Sequence, residues 1–250
     1  MFGLFKSSTW SRCVKGSFTA FRRRCVSHSR RFIGENTEVV GEQSLTPELR
    51  LRLFTPSCRF WTERPELWPY EDPYWAIYWP GGQALSRPGE DTNGTTRRTW
   101  PQSLKARCWL HEERRLELGL LCLSLRDRMW VCKLVAAVAT HMNSELNGLQ
   151  PPVCLTHNIM GSPPAAFHLI LLGDMFYDQS LATSLHSWLN RCMETHGTKV
   201  LIGDPGRAQF EEHAIRRLLR PLAQFELPDS VREENYSLSC SGVWSYTPEL

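Results

Sequence analysis

The 250-residue chain lacks several features that mark common classes of protein. Its nine cysteines form no Cys-x-x-Cys pair, which argues against a zinc site or a disulfide framework and fits a reducing compartment. No apolar run reaches the roughly 18 residues that a membrane-spanning helix needs, so no membrane partner is predicted. No Gly-x-Gly sequence occurs either, although such loops are what usually let a backbone approach a nucleotide-like cofactor. The residue types therefore predict no metal site and no ordinary cofactor loop.

Acidic residues are missing from the first 34 positions, which hold eight of the 29 Lys and Arg and six serines. The remainder has 21 basic and 26 acidic residues, a net charge of −5, which argues against a nucleic-acid partner because phosphate binding needs a cationic face. An Arg-rich, Ser-rich leader without acids is typical of a mitochondrial transit peptide. We predict such a peptide over residues 1–34, cleaved before about residue 35, and one domain over 35–250. An ordinary basic tail is the alternative.

The second half of the chain alternates apolar runs with amphipathic stretches. The runs at 167–174 and 198–205 are nearly continuous and close on Asp174 and Asp204, as the central strands of a parallel sheet do. An α/β fold with a parallel, doubly wound sheet is therefore predicted. The other elements predicted in this half are a strand at 153–159, helices at 181–192 and at 211–220 before Pro221, and a terminal strand or hairpin at 236–246.

The first half has fewer regular patterns. The sequence Thr46-Pro47-Glu48 has the order of an N-cap, a proline at the first helical position and an acid in the first turn, which predicts a helical segment within 35–60. Prolines interrupt the aromatic stretch at 60–79, so it cannot form one long helix. A helix is expected to begin near Gln83, and a further helical region is expected at 109–147 from its leucines and alanines.

The acids that end the two apolar runs are the first candidates for a site, because ligands of open α/β sheets bind beyond the carboxyl ends of the strands. Asp174 is followed by Phe176 and Tyr177, so one anion and two aromatic rings are expected at one strand end. That combination suits a cation such as a sulfonium or a lysine ammonium. The alternative is that Asp174 caps the next helix and that the aromatic rings belong to the core.

Several motifs in the sequence are long enough to indicate one particular family. They resemble the electron transfer flavoprotein beta-subunit lysine methyltransferases, within the class I seven-strand protein-lysine methyltransferases, over residues 35–87 and 136–247. The longer motifs are Asp72 to Arg87, Leu172 to Asp178 and Val200 to Arg207, and the shorter ones are Glu35 to Val39, Leu45 to Glu48 and Asn143 to Asn147.

The resemblance implies a Rossmann-like, seven-stranded domain that uses S-adenosyl-L-methionine and methylates lysines of the electron transfer flavoprotein beta subunit in the mitochondrial matrix. Trp79 would lie along the cofactor, and Asn158 would sit near the adenine at the end of a strand. Asp174 and Tyr177 match the acid-x-x-aromatic motif that lines the lysine channel, so they are the expected catalytic residues, with Asp174 also contacting the cofactor. A free lysine has a pKa of about 10.4 and must lose a proton before it attacks.

Residues 88–135 depart from the family pattern. The first strand and the cofactor loop are atypical, because the only glycines between Gly82 and Gly148 are at positions 89, 94 and 119, and no strand-ending acid for the ribose is evident. The similarity to the family stops at the start of this segment and resumes after it, while the flanking motifs are intact. This pattern suggests a translated frameshift or an alternative splice. The alternative function is therefore a catalytically impaired relative that retains only protein binding. On this basis we expect the cofactor to bind weakly or not at all, and the chain to be less stable than a relative with the full motif.

Overall fold

The computed structural model describes residues 25–64, 67–68, 70, 74–87, 130–154, 158–164, 166–234 and 238–247. The leader up to residue 24 and most of the atypical segment 88–135 lie outside these ranges, and so does the first part of the helical region predicted at 109–147. Of the helices in the described ranges, none combines the length and apolar character that a bilayer span requires.

The N-terminal part consists of short elements arranged around two long helices. Residues 25–36 form helix α1, and the described elements that follow are strands β1 (Glu38–Val40) and β2 (Leu51–Leu53) and helices α2 (Arg59–Thr62), α3 (Pro80–Ser86) and α4 (Trp130–Leu146). Strands β1 and β2 pair antiparallel, with Glu38 opposite Leu53 and Val40 opposite Leu51.

Helix α4 holds strand β2 by its side-chain amides. The Asn143 Oδ1 accepts from the Arg52 backbone N–H at 2.8 Å, and one turn further on the Asn147 amide accepts from the Arg50 N–H at 3.0 Å and donates to the Arg50 carbonyl at 2.6 Å. Residues four apart lie on one face of a helix, so the two asparagines satisfy successive backbone groups of the strand. The asparagines of the motif at 143–147 therefore have a structural role.

Helix α1 belongs to the N-terminal core. Ile33 is fully buried in a cluster with Val135 and Val138 of α4, and Phe32 packs its ring 4.8 Å from Tyr70 and 5.4 Å from Phe60. The predicted domain boundary at residue 34 thus falls inside one continuous helix.

The C-terminal part is an α/β unit. Its elements are β3 (Leu169–Gly173), α5 (Gln179–His196), β4 (Lys199–Asp204), α6 (Ala208–Glu211), β5 (Leu219–Glu226), α7 (Asp229–Glu234) and β6 (Cys240–Tyr246). The strand order is β3-β4-β6-β5, with β3 and β4 parallel and β6 antiparallel to both of its neighbours. The sheet is therefore mixed: the predicted parallel pairing is confirmed for β3 and β4 and is wrong for β5 and β6.

Helix α5 covers one face of this sheet, and its limits follow from local chemistry. The Asp178 side chain caps it by accepting from the Leu181 N–H at 2.9 Å, and Gly197, with φ +63°, ends it in the left-handed conformation. Its buried face carries Leu185, Trp188 and Leu189, which join the inward-facing residues of β3 and β4 in the main core. The strand and helix predicted at 167–174 and 181–192 are confirmed, as is the strand at 198–205. Of the strand or hairpin predicted at 236–246, the described part is the single strand β6.

One element predicted for the second half is wrong, and another lies partly outside the described residues. Instead of a helix at 211–220, the chain forms the one-turn helix α6, a 3₁₀ turn at Ala214–Leu218 and then strand β5, which runs through Pro221. A proline has no N–H to donate, and β5 tolerates it because the strand lies at the sheet edge with a bulge beside it. In the segment expected to be a strand at 153–159, residues 153–154 and 158–159 lie outside any strand.

The helical segment predicted within 35–60 is also wrong, because most of it forms the β1–β2 hairpin and its loop. Thr46 caps no helix: its carbonyl accepts from the Leu49 N–H in a turn, and its buried hydroxyl lies 3.0 Å from that of Tyr78. Helix α3 begins at Pro80, three residues before Gln83, because a proline at the first helical position lacks only an N–H that has no partner there.

Candidate active site

Helix α3 lies directly on the carboxyl ends of β3 and β4. A β-carbon on Gly203 would come within 2.2 Å of the Gly81 carbonyl oxygen, and one on Gly173 within 2.8 Å of the Gly82 Cα. Real side chains do not fit at such distances, so glycines on both sides are required for this contact. The pair Gly81-Gly82, which looks like a helix break in the sequence, is thus a packing surface that places the start of α3 over the two strand ends.

Asp174 stands at the centre of this contact. Its backbone has φ +57°, a left-handed conformation that Asp tolerates better than most residues, and the residue is only 6% exposed. The Oδ2 accepts from the Gly82 N–H at 2.9 Å, and the Oδ1 accepts from the Arg207 guanidinium. Asp174 therefore satisfies one of the unpaired N–H groups at the start of α3, a helix 92 residues away in the chain.

Arg207 links Asp174 to an aromatic ring. Its guanidinium carbon lies 5.5 Å from the centroid of Trp79, the residue that precedes α3, while Nη1 is bonded to the Asp174 carboxylate. A cation over the face of an indole is attracted by the ring quadrupole. The site thus brings together one carboxylate, one guanidinium and one indole at the strand ends.

Asp204, the last residue of β4, fixes the turn that carries Arg207. Its Oδ1 accepts from the Gly206 N–H at 2.8 Å and from the Arg207 N–H at 2.9 Å, and Gly206 has φ +88°. The residue is fully buried. Its Oδ2 lies 3.8 Å from the Arg207 Nη1 and has no hydrogen-bond partner within the described part of the chain.

Burial dominates the electrostatics of the two acids. It raises the pKa of Asp204 to about 7, and the neighbouring charge of Asp174 adds to this increase. Burial also raises the pKa of Asp174, against the opposing effects of the Arg207 charge and hydrogen bond and of the backbone N–H groups of α3. With both acids ionised, two carboxylates face one guanidinium, so the site carries one surplus negative charge and suits a cationic ligand.

Comparisons with known proteins point to one family. An electron transfer flavoprotein beta subunit lysine methyltransferase from Danio rerio is 55% identical over 215 residues, covering 86% of this chain and 82% of that protein. Proteins of the same name from Mus musculus and Xenopus laevis are 48% and 46% identical, covering 87% and 91% of this chain and 84% and 90% of theirs. The chain belongs to this methyltransferase family. No family model matches the chain, and no solved structure does.

The geometry unites some of the site residues predicted from the family motifs. Trp79 and Asp174 are joined through Arg207. Tyr177 follows three residues after Asp174 and is 42% exposed, whereas Phe176 is fully buried against Phe210 and belongs to the core. The alternative role for Asp174, as the cap of the next helix, is wrong, because Asp178 caps α5.

Asn158 itself lies outside any strand, and residues 155–157 directly before it fall outside the described ranges. It lies on the surface in a loop, and its Oδ1 accepts from the Met160 N–H at 2.9 Å. Its assignment to the cofactor stays a prediction drawn from the family motif alone.

Asp204 is a candidate from the sequence without a specific role, and Arg207 appears there only as the last residue of a family motif, so its place in the site was not predicted. The local pattern, an acid at a strand end followed by Pro205-Gly206 and an arginine, is one from which a tight turn presenting the arginine can be inferred. No group of three His, Cys, Asp or Glu side chains in the described residues is placed to hold a metal ion.

Proposed function

We propose that this chain transfers methyl groups from S-adenosyl-L-methionine to lysine side chains of the electron transfer flavoprotein beta subunit. Its relatives carry this activity and this substrate in their names. The observation that supports the chemistry is the buried anionic strand end at Asp174, which lies beside Trp79 where α/β folds bind their ligands. We also propose that the four strands of the C-terminal sheet are part of a seven-stranded, Rossmann-like sheet.

The described residues fit the cationic end of the cofactor and the cationic substrate. S-adenosyl-L-methionine carries a sulfonium and the substrate arrives as an ammonium. When Asp174 and Asp204 are both ionised, the surplus negative charge of the site complements either cation. The indole of Trp79 adds a face that attracts cations. Adenine and ribose contacts, including the one expected from Asn158, remain part of the proposal.

When bound, the cofactor supplies an electrophilic methyl group. The protein has to orient the lysine in line with it and to accept the proton that the ammonium loses. A carboxylate offers about four lone-pair positions, so Asp174 can accept one further hydrogen bond besides those from Gly82 and Arg207. Because burial raises the pKa of Asp174, its carboxylate is a better proton acceptor than an exposed one.

The alternative, a relative that binds protein without catalysis, is not favoured by the comparisons. The relatives are named as enzymes, and the motifs around Asp174 and Arg207 fold into a closed polar network in this chain.

We further propose that the protein works in the mitochondrial matrix, where the basic, acid-free leader would direct it. A fluorescent fusion of residues 1–40 is expected to enter mitochondria. A fusion that stays in the cytosol would contradict this location.

The decisive experiment combines isothermal titration with S-adenosyl-L-methionine and transfer of labelled methyl to purified flavoprotein beta subunit. The matched control is Asp178→Asn, four residues from Asp174, which keeps a good N-cap on α5. Methylation by the wild type and the control, and its loss in Asp174→Asn, is the expected result. A folded wild type that neither binds the cofactor nor methylates would sink the proposal in favour of a non-catalytic relative.

A further inference from the structure

Arg207 is bonded to the proposed catalytic carboxylate, stacked on the proposed cofactor-lining indole and anchored by a second buried acid. We propose, building on the methyltransferase function above, that Arg207 is a positioning residue, which holds the Asp174 carboxylate in place and in its charged form. Asp204 serves the same end by fixing the turn from which Arg207 reaches the site.

The first argument is geometric. Arg207 is anchored at three points: its backbone N–H donates to Asp204 Oδ1, its side-chain Nη1 donates to Asp174 Oδ1, and its guanidinium lies over Trp79. Only 17% of that side chain is exposed, so it has little freedom to move. The second oxygen of Asp174 is held by the Gly82 N–H. A carboxylate held at both oxygens keeps one orientation, which in-line transfer requires of any group that orients the lysine.

The second argument concerns charge. Within the described residues, the charged groups recorded beside Asp174 are Arg207 and Asp204, while α3 presents backbone N–H groups of Gly81 and Gly82. Arg207 is thus the only cation among them, and its charge and hydrogen bond oppose the effect of burial, which raises the pKa of Asp174. A carboxylate that is to hold an ammonium must itself be ionised, so removal of this cation should convert Asp174 to its neutral form over a wider range of pH.

The test uses Arg207→Gln and Arg207→Lys in the full chain. The matched control is Arg216→Gln, because Arg216 also pairs with an acid, Glu211 at 2.9 Å, and also lies over an aromatic ring, Trp244 at 5.3 Å, away from Asp174. Two quantities are measured against pH: the methylation rate on the flavoprotein beta subunit, and the ¹³C-carboxyl resonance of Asp174, identified by its absence from Asp174→Asn.

For Arg207→Gln we expect the Asp174 titration midpoint to rise by at least about one pH unit and kcat at neutral pH to fall about tenfold, recovering as the pH rises, with KM changed far less. The substrate lysine is the same in every variant, so its own titration cancels from the comparison. Arg207→Lys keeps the charge but loses the planar fork, so its kcat should fall at every pH without a shift of the midpoint. Arg216→Gln should match the wild type.

An unshifted midpoint in Arg207→Gln overturns the proposal, and so does a gain in activity, which would mean that Arg207 competes with the lysine for Asp174. If Arg207→Gln does not fold, Arg207→Lys decides, and wild-type kcat in that variant overturns the positioning role. Failure of the wild type to methylate would contradict the proposed function. The titration of the Asp174 carboxyl group would still test whether Arg207 keeps that group ionised.

Discussion

Replacing Asp174 by alanine and by asparagine separates its structural role from its chemical one. The sequence predicts that Asp174→Ala abolishes methylation and leaves the fold largely intact, because the carboxylate was expected to face an open cleft. The structure shows instead a carboxylate that is almost fully buried and bonded to both α3 and Arg207. We therefore expect both variants to lose methylation and the alanine variant to lose considerable stability as well.

The expected loss in the free energy of unfolding follows from the groups that each variant leaves without a partner. Alanine leaves the buried Arg207 charge without its close partner, a change that typically costs about 3–5 kcal/mol. It also leaves the Gly82 N–H without its acceptor, at about 1–3 kcal/mol, and puts a less tolerant residue at φ +57°, at roughly 1–2 kcal/mol. These terms are not additive, and Asp204 stays 3.8 Å from Arg207, so we expect a total near 4 kcal/mol.

Asparagine keeps an oxygen for the Gly82 N–H and tolerates the left-handed backbone, so its loss should be about 2 kcal/mol smaller than that of alanine. Against a total stability of roughly 5–15 kcal/mol, this difference is readily measured by urea unfolding followed through tryptophan fluorescence. The control is Asp229→Asn, an exposed acid in a surface pair with Arg232, which should stay within about 0.5 kcal/mol of the wild type. Equal stability of the alanine and asparagine variants would refute this account of Asp174.

Three other perturbations test the structure. The folded-state pKa of Asp204, about 7, exceeds its ordinary 3.8, so its stabilising effect is full at low pH and is lost as pH rises toward 7. The free energy of unfolding, measured by thermal unfolding, should therefore decline by up to about 1.4 kcal/mol per pH unit in that window. Asp204→Asn should remove most of this pH dependence. Deleting residues 1–24 should leave the melting temperature unchanged, whereas deleting 1–34 removes a fully buried isoleucine and should cost about 2–5 kcal/mol. Gly203→Ala should destabilise by about 1–3 kcal/mol in urea titrations, while Gly161→Ala, which has open space, should not.

The elements that the sequence predicts correctly are those whose information is local. Strands β3 and β4 contain apolar runs of five and four residues, which are enough to indicate buried strands without reference to a partner. Helix α5 has an apolar face with helical spacing, an aspartate at its N-cap and a glycine at its C-cap, so its type and ends are both present in the local sequence.

The failures come from elements that distant partners decide. Residues 219–226 become a strand because β6, about 20 residues later in the chain, offers an edge to pair with, and pairing overrides the helical spacing and the proline. The hairpin of β1 and β2 likewise is held by Asn143 of α4 and by Asn147 just after that helix, both more than 90 residues away. The sequence pattern of a short segment is too weak to determine its structure, so contacts with distant partners decide it.

The candidate site was predictable in its types of residue but not in its geometry. An acid at a strand end with aromatic neighbours indicates a cation site, and Asp174 is confirmed at the end of β3. No local pattern shows that Arg207, 33 residues later, occupies one side of that acid, or that Gly82, 92 residues earlier, occupies the other. Such contacts follow from the close approach of α3 to the strands, which depends on glycines in three separate segments.

The leader shows how composition and burial can conflict. Residues 1–34 hold eight Lys or Arg and no acid, yet α1 begins at residue 25 and is amphipathic. Ser29 and Ile33 are buried, while Arg30 lies at the surface in an ion pair with Glu145. A helix can therefore carry the charge of a targeting peptide on one face and core residues on the other. Charge counting cannot separate the two, because it ignores helical spacing. We accordingly expect import to remove residues upstream of α1. Amino-terminal sequencing of the mature protein measures the cleavage position. A mature protein that starts after residue 34 would contradict this expectation, because its folded domain would lack Ile33.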